Sequence, residues 1–501
     1  MKIKTLLFTV HRWLGIVMCL FFALWFASGI VMMYVEYPEL THAEELENLP
    51  ELDLAAVRLS PAQALAGAGA IELVRSVSLQ SVLGKPAYLF QMDRGGLLTV
   101  FADSGDVLDS LSTQSALAAA RLSGFSDSDS EPEYRELMQI DQWTVSESLG
   151  PMRPLHRVAL NDAEGTELYI SDRTGLVVRD TNRRERFWNW LGSTVHWIYP
   201  VQLRQYRNVW VQTIIYISLL GLVSIATGAI IGVLRLRIRN PFRGKYYTPY
   251  TGMMKWHHVL GLVTVIFVFT FTLSGLMSMG PWGIFDSHTS AQPQIERYTG
   301  QDFMRLNSLP ATTIMAQEEQ FPVEIKKVSW HYINGEAYLV AVNNAGDQQV
   351  WFGSDEEASS PRLLGHIMAS IPRLLPESKV LSIELLSEYD DYYYARHNAH
   401  RPLPVYRARF DDEENTWYHI DQDTGEPLTR VTNATRLERW LFNGLHSLDF
   451  QLLWRQRPLW DVVVIMLSML GLVFSITSVV IAWRYIRGKK YTAGALAVSG
   501  E

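Results

Sequence analysis

The chain has 501 residues, a net charge of −8 and 48% hydrophobic residues, so it is long enough for several domains. This charge balance gives no indication of a nucleic-acid partner, and none is predicted. The single cysteine, Cys19, excludes intrachain disulfides, thiolate-based zinc or iron–sulfur sites and covalent haem attachment through Cys-x-x-Cys.

Four long segments without a charged residue predict membrane-spanning helices, because a helix needs roughly 20 apolar residues to cross a hydrocarbon core of about 30 Å. The first segment is expected to be a retained helix rather than a signal peptide. Its apolar stretch is longer than a normal signal h-region, and no Ala-x-Ala site follows at a suitable distance. The predicted helices cover residues 1–35, 209–234, 257–280 and 459–483.

Three short basic segments flank these helices, and they predict the orientation of the chain by the positive-inside rule. The loop 235–256 carries six Lys or Arg residues and no acidic residue, and the tail 484–501 opens with four more. Both segments and the N-terminus are therefore expected in the cytoplasm, as in a multi-pass protein of the bacterial inner membrane. The long connections 36–208 and 280–461 are then expected outside the cytoplasm.

The external connections show the alternation of antiparallel sheets and predict two α+β domains, residues 36–180 and 281–430. Thr-Gly at Gly175 and at Gly425, 250 residues later, predicts two equivalent hairpins, since glycine readily adopts the positive φ of such turns. A third hairpin is expected around Gly105. Helices are predicted around residues 60–74 and 308–320.

Each external domain is followed by a segment rich in arginine and tryptophan, residues 181–208 and 431–458. This composition is typical of helices that lie at the level of the lipid headgroups. Both segments are therefore predicted to be interfacial.

The chain repeats itself, and histidines recur at matching places. His11 and His257 open the first and third apolar helices 246 residues apart, while His196 and His446, 250 residues apart, precede the second and fourth. Ser28-Gly29 and Ser274-Gly275 recur at the first offset. Parallel repeats are related by an axis along the membrane normal, which brings equivalent residues toward each other.

Paired histidines in a membrane protein favour haem. Histidine is costly in hydrocarbon unless it has a partner, and imidazole is a standard axial ligand of haem iron. We predict two non-covalent bis-histidine b-type haems, one at His11 and His257 and one at His196 and His446. The competing interpretation is that all four are interfacial anchors preserved in both copies.

Three further features bear on this haem hypothesis. His258 follows His257 directly and is the alternative ligand, although His257 shares the spacing of His11 to the following glycine. Gly15 and Gly261, one turn after each ligand, either admit a flat macrocycle or allow close helix packing. Four arginines could pair with haem propionates or contact lipid headgroups. These arginines are Arg186, Arg207, Arg436 and Arg457.

The His-Arg-Trp-Leu-Gly box at His11, its second copy at His257 and the Thr-Gly hairpins together resemble the PepSY-associated transmembrane family over nearly the whole chain. The second box departs from the first, since it reads His257-His258 where the first reads His11-Arg12. Some members of that family are similar to iron-regulated inner-membrane proteins, and others are haem-containing reductases of ferric siderophores. The resemblance implies an electron-transfer enzyme that reduces an extracytoplasmic acceptor, with ferric siderophore as its substrate class.

The fold class predicted is therefore a four-helix membrane bundle with internal duplication and two extracytoplasmic α+β domains. The cytoplasmic segments are too short for a flavin domain, so the electron donor is expected to be a cytoplasmic flavin or reductase, or a membrane quinol. One alternative is a non-enzymatic PepSY module that binds peptide or regulates a protease. The other is a haem conduit to a different partner reductase.

Overall fold

The computed structural model describes residues 2–70, 73–93, 95–125, 131–242, 245–300, 325–352, 356–357, 360–395 and 401–488. The chain forms two compact units, each assembled from separate segments. We call them the helical unit and the sheet unit. The helical unit comprises Met1–Tyr37, Phe187–Asp286 and Ala434–Glu501, and the sheet unit comprises Pro38–Arg186 and Ser287–Asn433.

Four helices in the helical unit are long and apolar enough to cross a membrane. Each covers most of a predicted span. The first and the third stop three residues before their predicted limits of 35 and 280, whereas the second and the fourth extend past the predicted limits of 234 and 483. The helices are α1 (Lys2–Met32), α2 (Arg207–Arg235), α3 (Gly252–Met277) and α4 (Leu459–Ile486).

The four helices pack as a bundle in which α1 and α3 each contact both α2 and α4. Small residues allow the close approach that packing in a membrane requires. A Cβ atom added to Gly471 on α4 would lie 2.5 Å from Cζ of Phe26 on α1. A Cβ atom on Gly221 of α2 would lie 3.3 Å from Cζ of Phe22. Phenylalanine rings of α1 therefore fit against glycines of both neighbours.

Short helices precede α2 and α4 within the two segments predicted to be interfacial. Trp210 Nε1 donates to the Trp197 carbonyl over 2.9 Å, and Trp460 Nε1 donates to the Ser447 carbonyl over 2.8 Å. These equivalent bonds fasten each segment to the start of the helix that follows it. The helices are Arg183–Leu191, Ser193–His196 and Val201–Arg204, then Asn433–Glu438, a π-helix Arg439–Gly444, Leu445–Ser447 and Gln451–Trp454.

The sheet unit contains three antiparallel sheets. A seven-stranded sheet has the order β11-β10-β9-β8-β1-β2-β3, and two four-stranded sheets have the orders β4-β5-β6-β7 and β12-β13-β14-β15. The strands are β1 (Val74–Val82), β2 (Lys85–Met92), β3 (Leu97–Phe101), β4 (Glu133–Met138), β5 (Leu155–Ala159), β6 (Glu167–Ser171), β7 (Val177–Thr181), β8 (Ile325–Ile333), β9 (Glu336–Asn343), β10 (Gln348–Phe352), β11 (Glu356–Glu357), β12 (Val380–Leu386), β13 (Val405–Phe410), β14 (Trp417–Asp421) and β15 (Pro427–Val431).

The two long connecting segments, 36–208 and 280–461, share one sheet, whereas the sequence predicts a separate domain for each. β1 of the first segment pairs antiparallel with β8 of the second, with Val77 opposite Trp330. An unpaired edge strand exposes a row of backbone donors and acceptors, and this pairing covers one edge of each half. Leu79 and Val328 are fully buried in the core at the junction. The pairing makes one sheet unit from two sequence segments.

The helices of the sheet unit pack beside these sheets. The helix predicted around 60–74 is present as Pro61–Gly67, where Ser60 and Gln63 form a capping box. The helix predicted at 308–320 lies outside the described residues. The other α-helices described in the sheet unit are His42–Asn48, Thr113–Leu122, Gln292–Thr299 and Ser360–Leu374. Short 3-10 helices cover Leu54–Ala56 and Glu147–Met152 in the same unit and Pro281–Gly283 in the helical unit.

The hairpins predicted at the two Thr-Gly turns are confirmed. β6 pairs with β7 around Gly175, which has a φ of 71°, and β14 pairs with β15 around Gly425, which has a φ of 75°. A Cβ atom on Gly175 would also lie 2.8 Å from Cγ1 of Val82. Glycine is therefore needed at that turn both for its backbone conformation and for space.

Asp180, on β7, has a carboxyl group with a raised pKa. Burial of its carboxyl, together with the nearby Glu44 and Glu185 carboxylates, raises its pKa from 3.8 to about 7. The folded state therefore holds a proton that the unfolded chain releases near pH 4. The stability gained from that proton is complete below about pH 4 and is lost as the pH rises through about 7.

We expect Asp180→Asn to raise the melting temperature of the full chain in detergent by a few degrees at pH 8, because it removes the buried charge. At pH 5 the gain should be much smaller, since Asp180 is already protonated there. Thermal unfolding at both pH values checks this, with Asp106→Asn at an exposed aspartate as the control. An equal gain at both pH values would contradict the assignment.

Candidate functional site

His11 on α1 and His257 on α3 face each other inside the bundle. Their ring centroids are 6.3 Å apart, with 35° between the ring planes. An imidazole nitrogen binds a metal at about 2.0–2.1 Å, so two imidazoles on opposite sides of one ion have centroids about 6 Å apart. The spacing of these two rings is therefore the spacing expected of an axial ligand pair.

The orientation of the His11 ring is fixed by α2. His11 Nδ1 lies 3.0 Å from the Ser224 carbonyl oxygen and 3.5 Å from Thr227 Oγ1. A carbonyl can only accept, so Nδ1 carries the proton and donates it. The lone pair of the neutral ring is then on Nε2, which is the arrangement that second-shell bonds impose on metal-binding histidines.

His257 is oriented in the same way by α4. Its Nδ1 lies 3.1 Å from Ser478 Oγ and 3.3 Å from Thr477 Oγ1. The Thr477 hydroxyl donates to the Phe474 carbonyl over 2.6 Å, so its oxygen is the acceptor toward His257. The ring also stacks on Phe474 with a centroid distance of 5.1 Å. In His257 too, Nδ1 then carries the proton and the lone pair lies on Nε2.

His196 and His446 form a second pair, with centroids 6.0 Å apart and ring planes at 67°. His196 Nδ1 lies 3.1 Å from both the Trp25 carbonyl oxygen and Ser28 Oγ. His446 Nδ1 lies 3.2 Å from the Phe271 carbonyl oxygen and 3.1 Å from Ser274 Oγ. Equivalent atoms of α1 and α3 therefore hold the two rings.

The repeated Ser-Gly dipeptide has a structural explanation in this second pair. Each serine hydroxyl reaches the histidine Nδ1, and the glycine that follows leaves room for the ring. A Cβ atom on Gly29 would lie 3.3 Å from Cε1 of His196, and one on Gly275 would lie 3.5 Å from Cε1 of His446. The dipeptide both orients the imidazole and lets it lie against the helix.

A cavity of about 810 Å³ adjoins the first pair. Pockets for cofactors and other small molecules have volumes of about 300–1,000 Å³. His11, His257, Gly15 and Gly261 all line the cavity. A Cβ atom on Gly15 would meet no protein atom within 4 Å, whereas one on Gly261 would lie 3.1 Å from Phe474. Gly15 thus borders open space, while Gly261 serves helix packing.

His258 has a different environment from His257. Its Nδ1 lies 2.8 Å from Thr248 Oγ1 and its Nε2 lies 2.9 Å from the Gly232 carbonyl oxygen. Both ring nitrogens are engaged, and the side chain is buried. The geometry favours His257 as the ligand and gives His258 the role of fastening the loop before α3 to the end of α2.

The four arginines proposed as propionate partners lie in different settings. Arg186 donates to the Thr181 and Gly165 carbonyls inside the sheet unit. Arg457 pairs with Asp461 at 3.8 Å and lies over the Trp460 ring. Arg207 is exposed at the start of α2, and Arg436 is partly buried before the π-helix. None of these contacts by itself indicates a ligand.

Sequence reasoning missed the groups that orient the histidines. Ser224 and Thr227 hold His11, and Thr477 and Ser478 hold His257. A signal was present, since Thr227 and Thr477 are 250 residues apart, the offset of the second histidine pair. The cavity beside His11 gave no sequence signal, because it depends on how the four helices meet.

The donor set at each pair fits haem better than a bare metal ion. Among the described residues, no group of three or more His, Cys, Asp or Glu side chains could hold a metal ion. A pair of imidazoles provides only two ligands, which fits a macrocycle that would bring its own nitrogens. The cavity beside the first pair offers the space for such a group.

A membrane bundle with two facing pairs of oriented histidines, joined in sequence to a β-rich unit, defines the class of this protein. The model of the PepSY-associated TM region matches residues 8–340, about two thirds of the chain. The protein belongs to the PepSY-associated transmembrane family, and it is a membrane protein. No match is found among curated proteins.

Two glycine substitutions test which wall of the cavity is closely packed and which borders open space. A Cβ atom on Gly228 would lie 2.6 Å from Cε1 of His11, whose ring is held by Ser224. We expect Gly228→Ala to destabilise the cofactor-free protein by about 1–3 kcal/mol, the usual cost of overpacking. The matched control, Gly15→Ala, should change the free energy of unfolding little.

Unfolding of both variants in mixed detergent, monitored by tryptophan fluorescence, measures these free energies. Equal destabilisation by the two substitutions would contradict the open space beside Gly15.

Proposed function

We propose that this protein is a di-haem, b-type electron-transfer protein of the bacterial inner membrane that reduces an extracytoplasmic acceptor. The observation that carries the proposal is the spacing of the two imidazole pairs, 6.3 Å and 6.0 Å between centroids. Haem iron between two imidazoles supplies one-electron transfer and needs no catalytic acid or base.

The protein's own residues would hold and orient the haem. His11 and His257 would hold one group, and His196 and His446 the other. The Ser224, Trp25 and Phe271 carbonyls keep Nδ1 protonated in three of the histidines, and the Thr477 hydroxyl oxygen does so in His257. Each Nε2 can therefore serve as a ligand. A bonded Nδ1–H also raises the basicity of Nε2, which strengthens it as a ligand.

The flanking charges support an orientation with both termini in the cytoplasm. α1 begins at Lys2 within a basic N-terminus, and α2 ends at Arg235, where the basic loop 235–256 begins. His11 and His257 would then lie toward the cytoplasmic end of the bundle, and His196 and His446 toward the external end. Electrons would be carried between those two faces.

The acceptor proposed is ferric iron in a siderophore complex. Hard oxygen chelators bind ferric iron far more tightly than ferrous iron. Transfer of one electron therefore reduces Fe(III) to Fe(II) and weakens the binding of the iron to the chelator. The electron would come from a cytoplasmic flavin or reductase, or from a membrane quinol. The substrate class rests on family resemblance rather than on residues of the sheet unit.

Single histidine substitutions test the ligand assignment. We expect His11→Ala or His257→Ala, and likewise His196→Ala or His446→Ala, to remove about half of the bound haem each. His258→Ala is the matched control and should retain both haems, because its nitrogens bond to Thr248 and Gly232. Haem per protein is measured by the pyridine haemochrome spectrum.

Loss of haem from His258→Ala but not from His257→Ala would make His258 the ligand. A wild-type protein without a Soret band, after expression with adequate haem, would instead favour the non-enzymatic PepSY module that binds peptide or regulates a protease.

Reduction of ferric chelates tests the acceptor. Dithionite-reduced protein, mixed with ferric siderophores in a stopped-flow spectrometer, should be reoxidised rapidly, with formation of ferrous iron that a ferrous-specific chelator traps. His196→Ala removes one ligand of the proposed haem nearer the external face, so it should slow this reoxidation by at least about tenfold. Indifference of the reduced wild-type protein to every ferric chelate would favour a haem conduit to a different partner reductase.

A further inference from the structure

Arg12 lies at the rim of the cavity beside His11 and His257. It is the residue directly after His11 on α1, and its side chain is exposed. The Arg12 guanidinium carbon lies 5.7 Å from the ring centroid of Tyr485 and 6.0 Å from that of Trp13. Tyr485, like Arg12, lines the cavity. These cation–π contacts hold the guanidinium beside the rim of the cavity.

The charge around the cavity is one-sided. Among the described residues that line it, Arg12 is the only Arg or Lys, and none is Asp or Glu. Most of the other lining side chains are apolar, such as Phe8, Ile16 and Phe474. A cavity with an apolar interior and one cation at its rim complements a ligand that has an apolar body and a peripheral anion.

The sequence repeat is broken at this position. The residue that corresponds to Arg12 in the second copy is His258. His258 also lines the cavity, but both of its ring nitrogens are already engaged, by Thr248 Oγ1 and by the Gly232 carbonyl. Arg12 therefore supplies a cationic group on one side of the cavity that the other copy does not match.

We propose that Arg12 forms a carboxylate-binding subsite, in which its guanidinium pairs with a carboxylate at the edge of a planar, apolar cofactor held by His11 and His257. The planar guanidinium fork matches a carboxylate through two parallel hydrogen bonds. Because Arg12 is exposed at the rim, neither its guanidinium nor the carboxylate would be fully removed from water, which lowers the desolvation cost of the pair. This inference rests on the proposed function, because haem b carries such carboxylates.

The test compares Arg12→Gln and Arg12→Lys with the wild type in the full chain loaded with haem. Arg487→Gln is the matched control, since Arg487 lies at the same end of α4 as Tyr485 and stacks on Trp483 rather than lining the cavity. The readouts are the rate of haem transfer to apomyoglobin and the midpoint potentials from a spectroscopic redox titration.

With Arg12→Gln, one of the two haems should be lost about tenfold faster, as expected for the loss of a charge-assisted pair. The midpoint potential of that haem should also fall, because removal of a nearby cation disfavours the reduced state. Arg12→Lys should restore the potential in part, since a lysine keeps the charge without the planar fork. Arg487→Gln should leave both readouts at their wild-type values.

Unchanged potentials and haem-loss rates in Arg12→Gln would overturn the subsite while leaving the histidine ligands intact. A faster haem loss without any change in potential would also overturn it, because packing alone would then explain the role of Arg12. A wild-type protein that binds no haem would instead refute the proposed function, so the two failures are distinguishable.

Discussion

The helical unit depends on one kind of interaction, the hydrogen bond that fixes Nδ1 of each paired histidine. Imidazole is expensive in a membrane interior, so each ring must satisfy its donor. The Ser224, Trp25 and Phe271 carbonyls do this for three rings, and hydroxyls on α4 do it for His257. Because each acceptor lies on a helix other than the histidine's own, these bonds also tie the bundle together.

The same bonds determine which nitrogen is available for chemistry. A proton held on Nδ1 leaves the lone pair on Nε2, and the ring centroids of the two pairs are 6.3 Å and 6.0 Å apart. Glycines make this possible where the imidazole lies against a helix. Gly228 does so for His11, and Gly29 does so for His196. A larger residue at either position would push the ring away from its carbonyl.

The two halves of the chain, compared at the predicted repeat offsets of 246 and 250 residues, differ in detail. His257 is held by Ser478, at the position where the first copy has Gly228. His258 and its counterpart Arg12 both line the cavity, but His258 bonds through both ring nitrogens to Thr248 and Gly232, whereas Arg12 lies near the Tyr485 ring. In the sheet unit, Asp180 corresponds in register to Arg430, which pairs with Glu414. The two halves of the chain therefore differ in these local contacts, although each half contributes one histidine to each pair.

The sequence by itself determined the elements that depend on local composition. Charge-free runs of apolar residues predicted four membrane helices, and Thr-Gly turns predicted the hairpins around Gly175 and Gly425, because both signals act over a few residues. The repeat spacing also identified the four histidines as two sets.

Only the tertiary structure decided how distant segments meet. It joined β1 to β8 in one sheet, where the sequence predicted two domains, because strand pairing depends on edges that are far apart in the chain. It separated His257, which faces His11, from His258, whose nitrogens are both engaged. Adjacent residues on a helix point about 100° apart, so the direction of each ring follows from the packing of the bundle rather than from the sequence.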